Sequence, residues 1–260
     1  MTTLYSIIDA IARFARKNIK YESFLWKLFR FFQNLLYLKE YFPYYKNILI
    51  KNDIFFESII DKLGQEKLEN FFVLQIGACD GIMADPIYHK IKEYGWSGVL
   101  VEPQKNEFEK LRLNYTKNKN IKLENIAISD TSGYRKLYKL EKNNIKHDWQ
   151  RGTASFLNKP RFESYEEVKC LTFNELIEKN DIRIIDLLQI DVEGYDFEIL
   201  KLFDFSNFTP LLIRYEHKHL NLSDKLLCRK LLESKGYKLY EMKKDTGAIS
   251  RSVLKKHIIA

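Results

Sequence analysis

Apolar positions recur along this chain in two rhythms, and the change from one to the other falls near residue 70. Before it, Ile7, Ile8, Ile11 and Phe14, then Phe24, Leu25, Leu28, Phe31, Phe32 and Leu35, stand at helical spacing, and a third helix is predicted from Phe55 to Leu63. This stretch holds one glycine, Gly64, and one proline, Pro43. From Phe71 onward, short apolar runs alternate with amphipathic ones. FFVLQIG (71–77) reads as a strand ending in glycine, PIYHKIKEYG sets Ile87, Ile91 and Tyr94 on one helical face, and SGVLVEP (97–103) reads as a second strand. NEFEKLRLNY, which aligns Phe108, Leu111 and Tyr115, leads to a third strand in IKLENIAIS (121–129). Repeated strand–helix–strand units of this kind build a parallel sheet.

Residues 132–168 interrupt the rhythm with Gly133, Gly152, Pro160 and mixed charge. A strand pair is predicted around RKLYKLE and a loop around WQRGTASF, the form that substrate loops often take. Thr172 with Glu175 three residues later, ahead of Leu176 and Ile177, makes a capping box and starts another helix. IIDLLQI (184–190) and PLLIRYE (210–216) supply two more strands separated by the helix FEILKLF. SDKLLCRKLLESKG is predicted as the last helix, with Ser223 as N-cap and Gly236 just past its end, and YKLYEM as the last strand. The expected fold class is α/β: a doubly wound, mostly parallel sheet over residues 70–260, preceded by a helical extension over residues 1–69.

Composition narrows the picture. With 45% hydrophobic residues against 10 Gly and 5 Pro in 260 residues, the chain has the means for one large core and is neither disordered nor fibrous. Of its net charge of +8, the first 50 residues contribute +5, from eight basic and three acidic side chains. The basicity therefore sits in the apolar helical segment, which reads either as a cap on the next domain or on a second subunit in a homodimer, or as a basic amphipathic helix at an anionic membrane surface. That placement, without an RNP-like aromatic motif, argues against a nucleic-acid partner. Cys79, Cys170 and Cys228 are far apart with no CxxC pair, so no disulfide framework or thiolate zinc site is expected and a cytoplasmic location is. No signal peptide or membrane span is expected either.

In an open parallel sheet, ligands bind beyond the carboxyl ends of the strands. The first strand ends in GACDG (77–81), a turn whose glycines let backbone approach a ligand. The second ends in Glu102, 21 residues after Gly81, the spacing of a carboxylate that holds a ribose diol. The dinucleotide pattern GxGxxG fails, because Cys79 and Ile82 replace its second and third glycines. A nucleoside ligand without phosphates suits this loop better, and S-adenosylmethionine is the common one. Asp191, Glu193 and Gly194 end the fourth strand, and the run Tyr215, Glu216, His217, Lys218, His219 ends the fifth. Asp191, Glu193, Glu216 and His217 are the candidate catalytic groups, histidine being the commonest general base. A divalent metal on Asp191, Glu216 and His217 would have hard oxygen and imidazole ligands but lacks a clear motif. In the insertion, Arg151 is a candidate clamp for a carboxylate or phosphate, Trp149 a stacking platform, and Ser155 a further substrate contact. Each of these residues also has an ordinary reading as a cap, a turn or a solvated side chain.

VLQIGACDG, GVLVEP followed by NEFEKL, NIAISD and above all LLQIDVEGYDFEIL resemble the successive motifs of FkbM-type methyltransferases, a branch of the Rossmann-like class I S-adenosylmethionine-dependent fold. The resemblance covers roughly residues 71–220. It implies that Gly77, Asp80 and Gly81 form the methionine-side loop, that Glu102 holds the ribose, and that Asn125 to Ala127, with Asp130, flank the adenine. Many members carry an acidic residue where this chain has Gln75, which accepts a hydrogen bond but offers no charge to the cofactor's ammonium. The implied activity is O-methylation of a sugar hydroxyl in a glycan or glycolipid precursor. RNA methylation, or a non-catalytic role in a biosynthetic complex, are the alternatives.

Overall fold

The computed structural model describes residues 42–158, 160 and 162–257; the helices predicted before residue 42, and the lipid or dimer contact expected of them, lie outside the described residues. The chain divides into two units, Met1–Leu49 and Ile50–Ala260. Helix α1 (Phe42–Lys67) is longer than the predicted Phe55–Leu63 and buries Phe56, Ile59, Ile60 and Leu63 in the core of the second unit. These positions recur at helical spacing, so one face of the helix is committed to the sheet. No helix among the described residues is long and apolar enough to cross a membrane.

The main sheet contains β1 (Phe72–Ile76), β2 (Ser97–Val101), β3 (Ile121–Glu124), β8 (Leu187–Ile190), β9 (Leu212–Glu216), β10 (Tyr237–Glu241) and β11 (Asp245–Ser250). Their order is β10-β11-β9-β8-β1-β2-β3, parallel throughout except for β11, which runs antiparallel to both neighbours. Strand β11 escaped the hydrophobic pattern because DTGAIS is half polar. It is nonetheless covered by β9 on one side and β10 on the other, with Thr246 opposite Tyr215.

Alternation along each strand sends side chains to two cores. Leu74, Ile76, Val99, Val101, Leu188 and Ile190 meet helices α4 (Phe173–Asn180), α5 (Asp196–Leu202) and α6 (Leu222–Ser234). Val73, Leu100, Leu187, Leu212 and Ile249 meet α1, α2 (Tyr88–Tyr94), α3 (Lys105–Asn114) and α7 (Arg251–His257). The sheet is thus covered on both faces, which explains why its strands read as nearly continuous apolar runs. Helix α4 starts as predicted, with Thr172 accepting from Glu175 N at 3.2 Å and Glu175 Oε2 accepting from Thr172 N at 2.8 Å. Helix α6 is capped by Asn221 and not by Ser223, since the Asn221 side chain accepts from Asp224 N at 3.0 Å.

The third predicted strand divides in two. β3 stays in the main sheet, the chain turns at Asn125 and Ile126, and β4 (Ala127–Ile128) pairs in parallel with β7 (Ser164–Leu171). A second sheet of order β4-β7-β5-β6 results, in which β5 (Gly133–Lys139) pairs with β7 and with β6 (Ala154–Ser155). The stretch predicted as a loop around WQRGTASF therefore carries a short strand.

Phe56 is fully buried, with the Arg214 guanidinium 5.2 Å from its ring centroid. Phe56→Ala is expected to cost about 3–5 kcal/mol of stability, measured by urea denaturation.

Candidate active site

Strand order reverses between β1 and β8, and the cleft opens at their carboxyl ends. Gly77, at φ +86°, follows β1 directly; its N–H donates to Val101 O at 2.9 Å, and Asp191 N donates to Ile76 O at 3.0 Å. A Cβ on Gly77 would lie 1.9 Å from the Asp191 carbonyl oxygen, so only glycine permits this approach. The cleft brings together Gly77, Glu102, Ala127, Ser155, Asp191 and Glu193, all singled out by sequence and drawn from both sheets.

Glu102 is 3% exposed, and its two oxygens accept from Cys79 N and Gln104 N, each at 2.8 Å. Burial pushes its carboxyl up to about 7, and the two N–H donors hold it back from rising further. Asn125 turns its amide onto the carbonyls of Glu102 (2.8 Å) and Pro103 (3.1 Å), so it shapes the strand end, while Ile126 and Ala127 form the apolar wall. Asp80 accepts from Ile82 N (3.0 Å) and Met83 N (2.8 Å), and its other oxygen lies 3.5 Å from Arg151 Nη2. Arg151 thereby ties the insertion to the loop after β1. Gly81, at φ +72°, packs against Leu111 and Tyr115 and has a packing role in that loop.

Two predicted residues point elsewhere. Gln75 donates to Asp85 Oδ2 at 3.2 Å, and its buried Oε1 has no hydrogen-bond partner among the described residues. Asp85, which also accepts from Ile87 N, is pushed up to about 6 by burial. Gln75 thus contacts an acidic side chain ten residues later in the chain. Asp130 is exposed and held by Ser129 and Arg135. Trp149 belongs to the turn Asp148–Gly152, and its side chain lies outside the described residues.

The opposite wall is acidic. Glu193 adopts left-handed backbone (φ +55°), which costs a non-glycine residue about 1–2 kcal/mol. Thr153 Oγ1 stands 3.5 Å from its Oε1. His219 Nδ1 lies 2.6 Å from Glu216 Oε2 and 3.2 Å from Glu193 Oε2. Asp196, fully buried, accepts from Gly194 N (3.1 Å) and Glu216 N (3.2 Å), fastening the loop after β8 to the end of β9. The Asp191 carboxyl is raised well above the usual carboxylate range, first by surrounding protein that displaces water and then by the charges of Asp196, Glu216 and Glu193. The residue still exposes surface at the mouth, so its desolvation is partial and the crowding of like charge is the firmer cause.

His217 is placed differently from the expectation. Its Nδ1 lies 2.9 Å from Thr246 Oγ1, it is 7% exposed, and burial lowers its pKa, so it rests against β11. The chain turns after Glu216, where His217 N and Lys218 N both donate to Lys244 O, and the turn delivers His219 to the carboxylates. Sequence reasoning missed three residues here: His219, Asp196 and Tyr195. Tyr195 lines the cleft with Phe156, their rings edge to face at 5.5 Å. Asp196 and Tyr195 carried a signal in the DVEGYD run, which ends at the first helical position. His219 carried none that distinguished it from His217.

A family model described as the methyltransferase FkbM domain matches residues 75–239. Among solved structures, methyltransferase FkbM from Methylobacillus flagellatus KT is matched at 13% identity and a TM-score of 0.44, over 69% of this chain and 43% of that one. Precorrin-6y C5,15-methyltransferase from Geobacter metallireducens GS-15 is matched at 12% identity and 0.38, over 74% and 87%. The Methanococcus jannaschii fibrillarin pre-rRNA processing protein is matched at 12% identity and 0.40, over 70% and 67%. The chain thus spans less than half the length of the Methylobacillus protein. No curated protein sequence matches it.

Gly77→Ala is expected to destabilise the fold by more than about 1 kcal/mol in urea denaturation, because both the positive φ and the Asp191 carbonyl oppose a Cβ.

Proposed function

The chain belongs to the FkbM methyltransferase family, and from that premise we propose that it transfers a methyl group from S-adenosylmethionine to a sugar hydroxyl of a glycan or glycolipid precursor. The observation that carries the reading is the cleft itself, with the buried carboxylate of Glu102 at the end of β2 on one side and the carboxylates of Asp191 and Glu193 after β8 on the other.

The residues present fit the cofactor. Glu102 keeps lone pairs for a ribose diol, Ile126 and Ala127 offer an apolar wall to a planar base, and Gly77 leaves room for backbone to approach the methionine part. S-adenosylmethionine supplies an electrophilic methyl on a sulfonium centre. The protein's own task is to orient the acceptor hydroxyl in line with that carbon and to receive its proton. Asp191 serves as acceptor of that proton, since a carboxylate with a raised pKa is a better base near neutral pH.

A sugar suits the acidic wall for two reasons. Ionised carboxylates accept hydrogen bonds from several hydroxyls at once. The rings of Tyr195 and Phe156 give the apolar face of a sugar a surface to lie on. Asp191, Glu193 and Glu216 would meanwhile repel a phosphate-rich acceptor such as RNA.

Glu102→Ala is expected to weaken S-adenosylmethionine binding by about 1.5–3 kcal/mol in titration calorimetry. Protonation of Glu102 removes acceptor capacity, so wild-type affinity should fall as pH drops below about 7, and Glu102→Gln should abolish that dependence. Asp191→Asn should lower turnover by about 10² to 10⁴ with little change in cofactor affinity. For the acceptor, glycans from cells with and without the gene are compared by mass spectrometry. A species heavier by one methylene only in the former supports the proposal, and identical profiles oppose it.

A further inference from the structure

A polar row crosses the main sheet one residue short of its strand ends. Gln75 on β1 stands opposite Gln189 on β8, and Gln189 opposite Arg214 on β9. Each lies two residues beyond an apolar side chain packed with α1, namely Val73, Leu187 and Leu212, so all three share the face that α1 covers. They are 3%, 4% and 3% exposed. The row is bounded by Leu100 of β2 on one flank and by Gly247 of β11 on the other, where a Cβ would meet the Phe56 ring at 2.4 Å. Strands covered on both faces are otherwise apolar, so polar side chains at this depth need partners. Some are in place: Arg214 Nη2 donates to Glu57, Gln75 donates to Asp85 Oδ2 at 3.2 Å, and the Gln189 side chain hydrogen-bonds to the same carboxyl. These contacts leave much of the row unmet. Among the described residues, five buried side-chain nitrogen or oxygen atoms have no hydrogen-bond partner, and four of them belong to this row: Gln75 Oε1, Gln189 Oε1, Arg214 Nε and Arg214 Nη1.

We propose that Gln75, Gln189 and Arg214 form a seat for hydroxyl oxygen, taken by water in the free protein and by a hydroxyl of the acceptor sugar in the complex. The unmet atoms select this chemistry. The two glutamine oxygens need donors, whereas the Arg214 nitrogens need acceptors. An anion would satisfy the arginine alone, and a metal ion the amide oxygens alone. A hydroxyl donates and accepts at once, and a neutral group is far less costly to bury than an ion.

Position ties the seat to the cleft. Same-face residues along a strand repeat about every 6.6 Å. Asp191 stands two residues beyond Gln189, and Gly77 and Glu216 hold the same place beyond Gln75 and Arg214. Asp191 is exposed and lines the cleft. Hydroxyls on opposite sides of a sugar ring are separated by a similar distance, so one meets Asp191 while another enters the seat. That second occupant rests on the proposed methylation of a sugar, whereas the water seat does not.

The test is a set of crystal structures of the full chain, grown and frozen without cofactor, glycerol, sugars or polyethylene glycol. An ordered oxygen is expected within about 3.2 Å of a glutamine Oε1 and of Arg214 Nε or Nη1. It should be lost in Gln189→Met, which keeps the side chain's length and removes its amide, and Gln75→Met serves the same purpose if Gln189→Met fails to fold. Wild-type crystals without such an oxygen, side chains rearranged to pair with one another, or an oxygen that persists unchanged in the variants all overturn the seat. Soaking wild-type crystals in glucose, galactose and mannose in turn separates the two occupants. A sugar hydroxyl in place of the water supports the acceptor role, and water retained in every soak defeats that role alone. S-adenosylmethionine calorimetry on the same protein reports on the methyltransferase reading separately, because the water is expected whether or not cofactor binds.

Discussion

The contact between Gly77 and the Asp191 carbonyl sets the geometry on which the rest of the site depends. With no side chain at position 77, the carboxyl ends of β1 and β8 close to within hydrogen-bond distance, and the cleft forms where strand order reverses. The other end of the same strand pair is fastened by Asp186, which is fully buried and accepts from Phe72 N at 2.9 Å and Lys67 Nζ at 2.5 Å. Fixed at both ends, the β1–β8 pair is the centre of the sheet, with Glu102 at the end of β2 on one side and the carboxylates at the ends of β8 and β9 on the other. Rigid strands hold such groups more accurately than loops do.

A second constraint is electrostatic. Asp191, Glu193, Asp196 and Glu216 crowd together at two neighbouring strand ends, and Asp191 and Asp196 are both raised well above the usual carboxylate range, by loss of water and by neighbouring charge, that of Asp196 and Glu216 on Asp191 and that of Glu216 on Asp196. Such crowding destabilises a fold by itself. It is tolerated because Asp196 satisfies two backbone N–H groups and Glu216 meets His219, so the groups hold the turns at the two strand ends.

The insertion completes the enclosure. Its strands form a sheet whose inner face packs Leu137, Ala154, Val168 and Cys170 together, and Ser155 with Phe156 reaches the cleft from there. Arg151 meets Asp80, and Gln104 Nε2 donates to Gly152 O at 3.3 Å, so the insertion is attached to the loops after both β1 and β2. The insertion and the loops after β1 and β2 are thereby joined.

Much of this was legible in the chain. Short apolar runs located β1, β2, β8 and β9, because strands covered on both faces must be apolar along their length. The Thr172–Glu175 box located α4, because capping is a local hydrogen-bond exchange. The strand-end residues Gly77, Glu102, Asp191 and Glu193 converge because a parallel sheet puts all its carboxyl ends on one edge. Other features were decided only by tertiary structure. β11 owes its place to partners on both sides rather than to its own half-polar sequence, and the division of residues 121–129 between two sheets depends on β7, more than 40 residues later. Gln75 meets Asp85 through a contact that no spacing rule covers. His217 and His219 are chemically identical in sequence. Which of them faces the carboxylates follows from hydrogen bonds to Lys244 and Thr246 on the neighbouring hairpin, contacts that exist only once the chain has folded.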